Sequence, residues 1–260
     1  MKTNNILKNF LITISLLSYY GSNIAYSEDK IESITPQKKW HLSLGYGVAV
    51  KNNIRKDNLY SGAGNSIILN HIPLVQIGWG PISVGAQGLT ASFIGDKNIA
   101  GYFNINRAGD RYYGIGMESR KDSWFFGAGL KYMKYNFLMT KDINGRSHGI
   151  KATINYSVIY PIGVKIFARS SIGIECFSRM FSDYYYGVKA NESTSTRAVY
   201  QPKAYCAPGA SFFPGYKVNE ELSLLMGISL KGIPKTVSNS PTTDNSWLES
   251  AVIMGATWKL

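Results

Sequence analysis

The stretch Trp40-His41-Leu42-Ser43-Leu44-Gly45-Tyr46-Gly47-Val48-Ala49-Val50-Lys51 alternates with a period of two. Trp40, Leu42, Leu44, Tyr46, Val48 and Val50 fall on one side. His41, Ser43, Gly45, Gly47, Ala49 and Lys51 fall on the other. Successive side chains of a β-strand point to opposite faces, so this reads as a strand with one apolar face and one small, polar face. The second face is not the uniformly charged surface of a soluble sheet. It suits the crowded interior of a barrel.

The pattern recurs along the chain. Over Val164–Cys176, the residues Val164, Ile166, Ala168, Ile172, Ile174 and Cys176 oppose Lys165, Arg169, Ser171, Gly173 and Glu175. Over Glu221–Lys231, the set Leu222, Leu224, Met226, Ile228 and Leu230 opposes Glu221, Ser223, Gly227, Ser229 and Lys231. The last run sends Val252, Met254, Ala256, Trp258 and Leu260 outward. Strands are expected at 38–51, 66–79, 82–94, 98–107, 122–136, 147–160, 163–177, 202–216, 220–232 and 246–260. Several exceed the roughly five or six residues usual in soluble sheets and approach the tilted length that crosses a bilayer. Short connectors (Gly80-Pro81, Tyr160–Gly163, Tyr216–Asn219) alternate with longer polar loops near 51–65, 137–147, 178–201 and 233–246, the asymmetry of a transmembrane barrel. Aromatics near strand ends, among them Trp79, Tyr102, Tyr112, Trp124, Phe125, Tyr184, Tyr185, Tyr186, Phe213 and Trp258, are expected in interfacial girdles. The fold class is therefore all-β, an antiparallel transmembrane β-barrel of about ten strands, or twelve if segment 108–121 hides a further hairpin. An exported β-sandwich is the alternative, and such a fold rarely needs strands this long.

Composition agrees. The chain holds 18 Tyr, 11 Phe, 5 Trp and 26 Gly in 260 residues, and only 17% of residues are charged. That aromatic content excludes a disordered chain, and two cysteines exclude a disulfide-dense scaffold. Residues 1–27 read as a cleavable export signal: basic Lys2 and Lys8, the apolar run Phe10–Leu17, then Ala25 and Ser27 before Glu28. The apolar run is too short to span a bilayer as a helix. The formal charge of +12 falls to +10 without that segment. Residues 28–260 are expected to form the barrel in the bacterial outer membrane, with lipid and lipopolysaccharide as neighbours and no nucleic-acid partner.

Chemistry-bearing residues are sparse. The three histidines, His41, His71 and His148, lie far apart in sequence and match no nucleophile motif. No zinc-ligand spacing occurs, and Gly62-Ala63-Gly64 lacks the helix a phosphate loop requires. No enzyme activity and no cofactor is expected. Cys176 and Cys206 flank the large loop on neighbouring strands, either bridged in an oxidising compartment or as two separate small hydrophobes. Lys165, Arg169, Glu175, Glu221 and Lys231 are expected to face the lumen. The basic segment Lys51–Lys56 is either a contact for lipopolysaccharide phosphates or a solvated loop.

The sequence resembles the MipA/OmpV family (MipA being the MltA-interacting protein) of outer-membrane proteins. Asp183-Tyr184-Tyr185-Tyr186-Gly187-Val188 ahead of the polar loop Lys189–Arg197 is similar to the family's Tyr-aromatic-Gly-Val signature. Leu44–Ala49, Pro73-Leu74 and Ser240-Pro241 match more weakly. The chain departs from the common pattern in ending at Leu260 rather than an aromatic, and in Arg107–Lys121. The resemblance implies an outer-membrane barrel and a scaffold joining a lytic transglycosylase to a bifunctional peptidoglycan synthase. A small-solute channel favouring anions and a surface adhesin using the outer loops are the competing readings. The Tyr184–Val188 signature reads either as a docking or pore-constricting element, or as interfacial aromatics with Gly187 permitting the turn.

Overall fold

The computed structural model describes residues 40–60, 66–86, 88–95 and 98–260; the expected export segment and Gly62-Ala63-Gly64 lie outside them. Twelve antiparallel strands follow one another around a closed barrel. They are β1 (Trp40–Asn52), β2 (Ile67–Trp79), β3 (Ile82–Gly85), β4 (Gly88–Gly95), β5 (Ile99–Ala108), β6 (Ser123–Tyr132), β7 (Tyr135–Asp142), β8 (Ile150–Pro161), β9 (Ile166–Phe177), β10 (Tyr205–Lys217), β11 (Leu222–Gly232) and β12 (Leu248–Lys259). The barrel closes where β1 pairs with β12, from Ser43↔Lys259 to Lys51↔Ala251.

The period-two pattern becomes the two sides of this wall. Leu44, Tyr46 and Val50 are exposed outside, and Ala49 between them is fully buried inside. Leu224, Met226, Ile228 and Leu230 form an exposed stripe on β11. In water such stripes would be costly; in hydrocarbon they are the matched surface. Short turns gather at the end of the barrel where β1 begins and β12 finishes. Longer loops, at 53–66, 109–122, 143–149, 178–204 and 233–247, gather at the other. Short turns mark the periplasmic rim. Trp40 stacks on Trp79 there, with ring centroids 5.9 Å apart, and Trp258, Tyr132, Tyr135, Tyr160 and Tyr216 stand exposed on the same rim.

Twelve strands arise from two hairpins that the alternation concealed. Segment 82–94 folds back at Gly85–Gly88 and becomes β3 and β4, with Gly88 at φ +90° supplying the turn. Strand 122–136 ends at Tyr132, and Met133-Lys134 turns the chain into β7, where a loop was expected at 137–147. Segment 108–121 hides no hairpin strands: it is an irregular outer loop with one isolated bridge, Tyr112↔Arg120.

Candidate functional site: the lumen and its two mouths

The outer mouth is shut. Loop 178–204 carries a helix, α1 (Arg179–Tyr186), whose N-terminus is capped by Ser178, the side chain accepting from the Phe181 N–H. Residues four apart share one face of a helix, so Phe181 and Tyr185 point together into the barrel. They pack with Phe125, Phe177, Tyr186, Tyr205 and Val237 into one buried cluster. The Phe177–Phe181 and Phe181–Tyr185 ring centroids are each 4.5 Å apart. The Tyr185 hydroxyl sits within bonding distance of three acceptors: Ala108 O (3.2 Å), Lys121 O (3.1 Å) and Ser123 Oγ (3.1 Å). Burial pushes the Tyr185 and Tyr186 phenols well above the usual tyrosine range.

These positions correct the girdle assignment. Tyr185 (1% exposed), Phe125 and Phe213 face inward, as do Tyr102 and Tyr186. Tyr112 is buried among the outer loops with Met117 and Val188. Alternation places Phe125, Tyr102 and Phe213 on the interior phase of their strands, and the helix turns Tyr185 and Tyr186 away from the wall. Tyr184 packs edge-on against Tyr185.

Polar contacts hold this plug in place. Arg55, 5% exposed, donates through Nε to Asp110 Oδ2 (2.6 Å), through Nη1 to Thr242 Oγ1 (2.9 Å) and through Nη2 to the Tyr185 carbonyl (2.8 Å). Its guanidinium stacks on the Tyr186 ring at 4.2 Å. One side chain thereby joins four outer segments. A second knot lies at Glu192 in a single 3-10 turn (Ala190–Glu192). The Arg120 guanidinium meets both carboxylate oxygens at 2.8 and 2.7 Å, and the Glu118 and Lys189 N–H groups add two bonds. Burial alone would raise this carboxyl, but those bonds prevail and hold it below the usual carboxylate range. The basic stretch Lys51–Lys56 is therefore not a free patch for lipopolysaccharide phosphates. Arg55 is the hub just described, and Lys51 lies on the inner phase of β1, paired with Glu249 at 2.9 Å.

Beneath the plug lies a polar chamber of about 340 Å³. Five cations line it: Lys131 on β6, Lys134 in the β6–β7 turn, Lys151 on β8, Arg169 on β9 and Lys231 on β11. Glu175 bridges two of them, 2.8 Å from Lys151 Nζ and 3.0 Å from Lys231 Nζ. Arg169 Nε donates to Ser157 Oγ at 3.2 Å. Of the charges expected in the lumen, Arg169, Glu175 and Lys231 meet here. Lys165 and Glu221 sit instead in periplasmic turns and line a second, open cavity of about 870 Å³ with Lys217, Glu220 and Lys259. Each lies just beyond its strand, at the periplasmic mouth of the lumen; the Trp258 indole N–H donates to Glu221 Oε2 at 3.1 Å. Elsewhere on the inner wall, Ala49, Ile72, Phe213, Ala251 and Ile253 form a buried apolar patch.

The remaining candidates do not converge. His41 faces the lumen beside Gly78 near the periplasmic rim. His71 is on the outer face, bonded to the Tyr46 hydroxyl. His148 sits in the β7–β8 loop, its N–H donating to Asp142 Oδ2 at 3.0 Å. Ser171 bonds Ser211 at 2.7 Å, with no histidine in the pair. Among the described residues no group of three or more metal-ligating side chains occurs. Cys176 and Cys206 stand directly opposite one another in the β9–β10 register and are joined as a disulfide at the base of the plug loop. The sequence did carry a signal for the plug that its polar surroundings masked: Ser178 as a cap, then Phe181 and Tyr185 at helical spacing.

A closed wall with an apolar exterior, an aromatic rim and a polar interior defines an outer-membrane β-barrel. The chain belongs to the family described as MltA-interacting protein MipA, which matches residues 44–260. It is 31% identical over 119 residues to the outer membrane protein OmpV of Vibrio cholerae serotype O1, covering 43% of this chain and 44% of that one. It is 26% identical over 114 residues to Omp26La of Vibrio anguillarum, with the same coverage of each chain. The chain thus spans under half the length of these relatives. Among solved structures, an outer membrane channel from Pseudomonas putida F1 is similar over 90% of this chain and 100% of the other, at 9% identity and a TM-score of 0.44.

Proposed function

We propose that this barrel is a periplasm-facing scaffold in cell-wall assembly. One observation carries the reading: the outer mouth is closed by packed aromatics, while the periplasmic end opens into a cavity of about 870 Å³ rimmed by charged turns. A molecule shaped this way presents its binding surface inward. The family's description supplies the partner class, a lytic transglycosylase, with a bifunctional peptidoglycan synthase joined through it. Photocrosslinkers placed in intact cells at Val218 and Ile162 in the periplasmic turns, and at Lys121 in an outer loop, test this. Recovery of a lytic transglycosylase or a peptidoglycan synthase from the turn positions alone supports the scaffold. A preparation holding only barrel and lipopolysaccharide overturns it.

The second reading, a passage for small anions, rests on the five cations that line the chamber against the single carboxylate of Glu175. Its test is conductance in planar bilayers. Folded wild-type barrel that stays silent, together with a Phe181→Ala/Tyr185→Ala variant that stays equally silent, disposes of it. Discrete anion-selective steps in the variant support it.

A further inference from the structure

The outer rim carries a cluster of arginines on the lipid side of the wall between β5 and β7. Asp122 immediately precedes β6 and shares the outward phase of Trp124, an exposed residue. Its own side chain is buried, at 1% exposure, among arginines. Arg107, the register partner of Trp124 on β5, meets Asp122 Oδ2. Arg111 Nε lies 3.4 Å from Asp122 Oδ1. Arg146, an exposed residue of the β7–β8 loop, donates to the Asp122 carbonyl. At this one residue three positive charges meet a single negative one. The Arg107 guanidinium also lies over the Trp124 ring, 5.5 Å from its centroid. Lys141 adds a further cation, exposed on β7 opposite Phe126.

Below this crown the wall is aromatic. Phe126, two residues beyond Trp124 on β6, faces out beside Phe103 of β5, with ring centroids 5.9 Å apart. Phe103 packs in turn on Phe93 of β4 at 4.6 Å. All three rings are exposed on the outer face. Four residues separate Arg107 from Phe103, about 13 Å of strand, so the ladder starts near the rim and descends into the outer leaflet. The two features suit the two halves of one molecule. A phosphomonoester carries about −1.5 to −2 charge at pH 7 and accepts paired N–H bonds from guanidinium forks. A surplus of arginine charge gathered on one buried carboxylate is complementary to such a head, and the ring ladder is complementary to acyl chains.

We propose that the rim between β5 and β7 binds a phosphomonoester-bearing lipid of the outer leaflet. Arg107, Arg111 and Arg146 take the phosphate, and the acyl chains lie along Phe126, Phe103 and Phe93. Asp122 is a positioning residue that holds the guanidiniums together. A free phosphate compound would use the arginines and leave the ladder idle. The lipid-phosphate contact falls here and not at Lys51–Lys56, and it depends on neither reading of the lumen.

The test uses the whole folded barrel in dodecyl maltoside, with native mass spectrometry counting bound lipid. Diphosphoryl lipid A is expected to bind. Lipid A stripped of its phosphates, and the phosphodiester phosphatidylglycerol, are expected to bind about tenfold more weakly. Equal binding of either comparison lipid, or no binding of lipid A, overturns the proposal. Arg111→Gln/Arg146→Gln leaves the Arg107–Asp122 contact in place and is expected to weaken lipid A about tenfold. Lys203→Gln/Lys235→Gln removes the same charge from exposed positions elsewhere on the outer loops and is expected to leave binding unchanged. Equal loss in both variants means diffuse attraction and overturns the site. Phe103→Ala/Phe126→Ala is expected to weaken lipid A several-fold; unchanged binding there removes the chain contact and with it the lipid. Glucose 1-phosphate serves as the free competitor: displacement of lipid A at equal concentration assigns a soluble phosphate compound and overturns the lipid assignment, whereas lipid A that stays bound supports it.

Discussion

The Arg120–Glu192 pair is a buried ion pair that ties the plug loop to its neighbour. Both side chains are almost wholly buried, at 3% and 1% exposure. Removing one partner leaves an uncompensated charge, which typically costs about 3–5 kcal/mol. Arg120→Ala is therefore expected to lower the unfolding midpoint measurably. The pH dependence has a definite sign. The folded Glu192 carboxyl lies below the usual carboxylate range, so its stabilisation is complete above the unfolded value of about 4.3 and is lost as pH falls through the depressed folded value. Limited proteolysis of loop 178–204 should therefore quicken below about pH 4 in wild type. Glu192→Gln should flatten that dependence; an unchanged acid profile in this variant removes the role given to Glu192. Gly109, at φ +114°, holds the other side of the plug: an added Cβ would lie 2.0 Å from the Tyr185 hydroxyl oxygen. Gly109→Ala is accordingly expected to expel the Tyr185 ring, which tyrosine fluorescence in the folded barrel would report.

Among elements, long strands were the most legible in the sequence and hairpin tips the least. β1, β2, β9 and β11 lie close to where the alternation puts them, because each keeps one strict phase from rim to rim. The two hidden hairpins shift the alternation by one residue at the turn, a signal easily passed over when each run is read as a single strand. Trp124 to Tyr132 on β6 and Tyr135 to Met139 on β7 expose alternate residues on either side of Met133-Lys134, a turn without Gly, Pro or Asn. Met133 takes φ 51° there, a conformation that residue type seldom advertises. The chamber was half legible: alternation aimed Arg169, Glu175 and Lys231 inward but said nothing of Lys131 and Lys151 arriving beside them, because convergence depends on barrel stagger. The plug helix is tied at its root by Cys176–Cys206, which closes a loop of sequence separation 30. Cys176→Ala/Cys206→Ala is expected to cost about 2–4 kcal/mol, visible as a lower temperature at which the folded band converts on a semi-native gel. An unchanged conversion temperature means the loop is held by its side-chain contacts alone.

At the scale of the whole barrel, closure rests on the β1–β12 seam. Gly47 and Gly255 face each other there, and a Cβ on either would come within 2.9 Å of the partner strand's carbonyl oxygen. Gly255→Val should therefore force the strands apart, costing about 1–3 kcal/mol and slowing the appearance of folded barrel in a refolding time course. Normal kinetics would mean the seam has slack. The seam also imposes an order of events. β1 leaves the ribosome first, and its partner over nine positions, β12, is made more than 200 residues later. Throughout transit that first strand travels as a sticky, half-satisfied ribbon, able to pair with any other chain it meets. Keeping nascent copies apart until the ring can shut is thus a task the architecture hands to the cell.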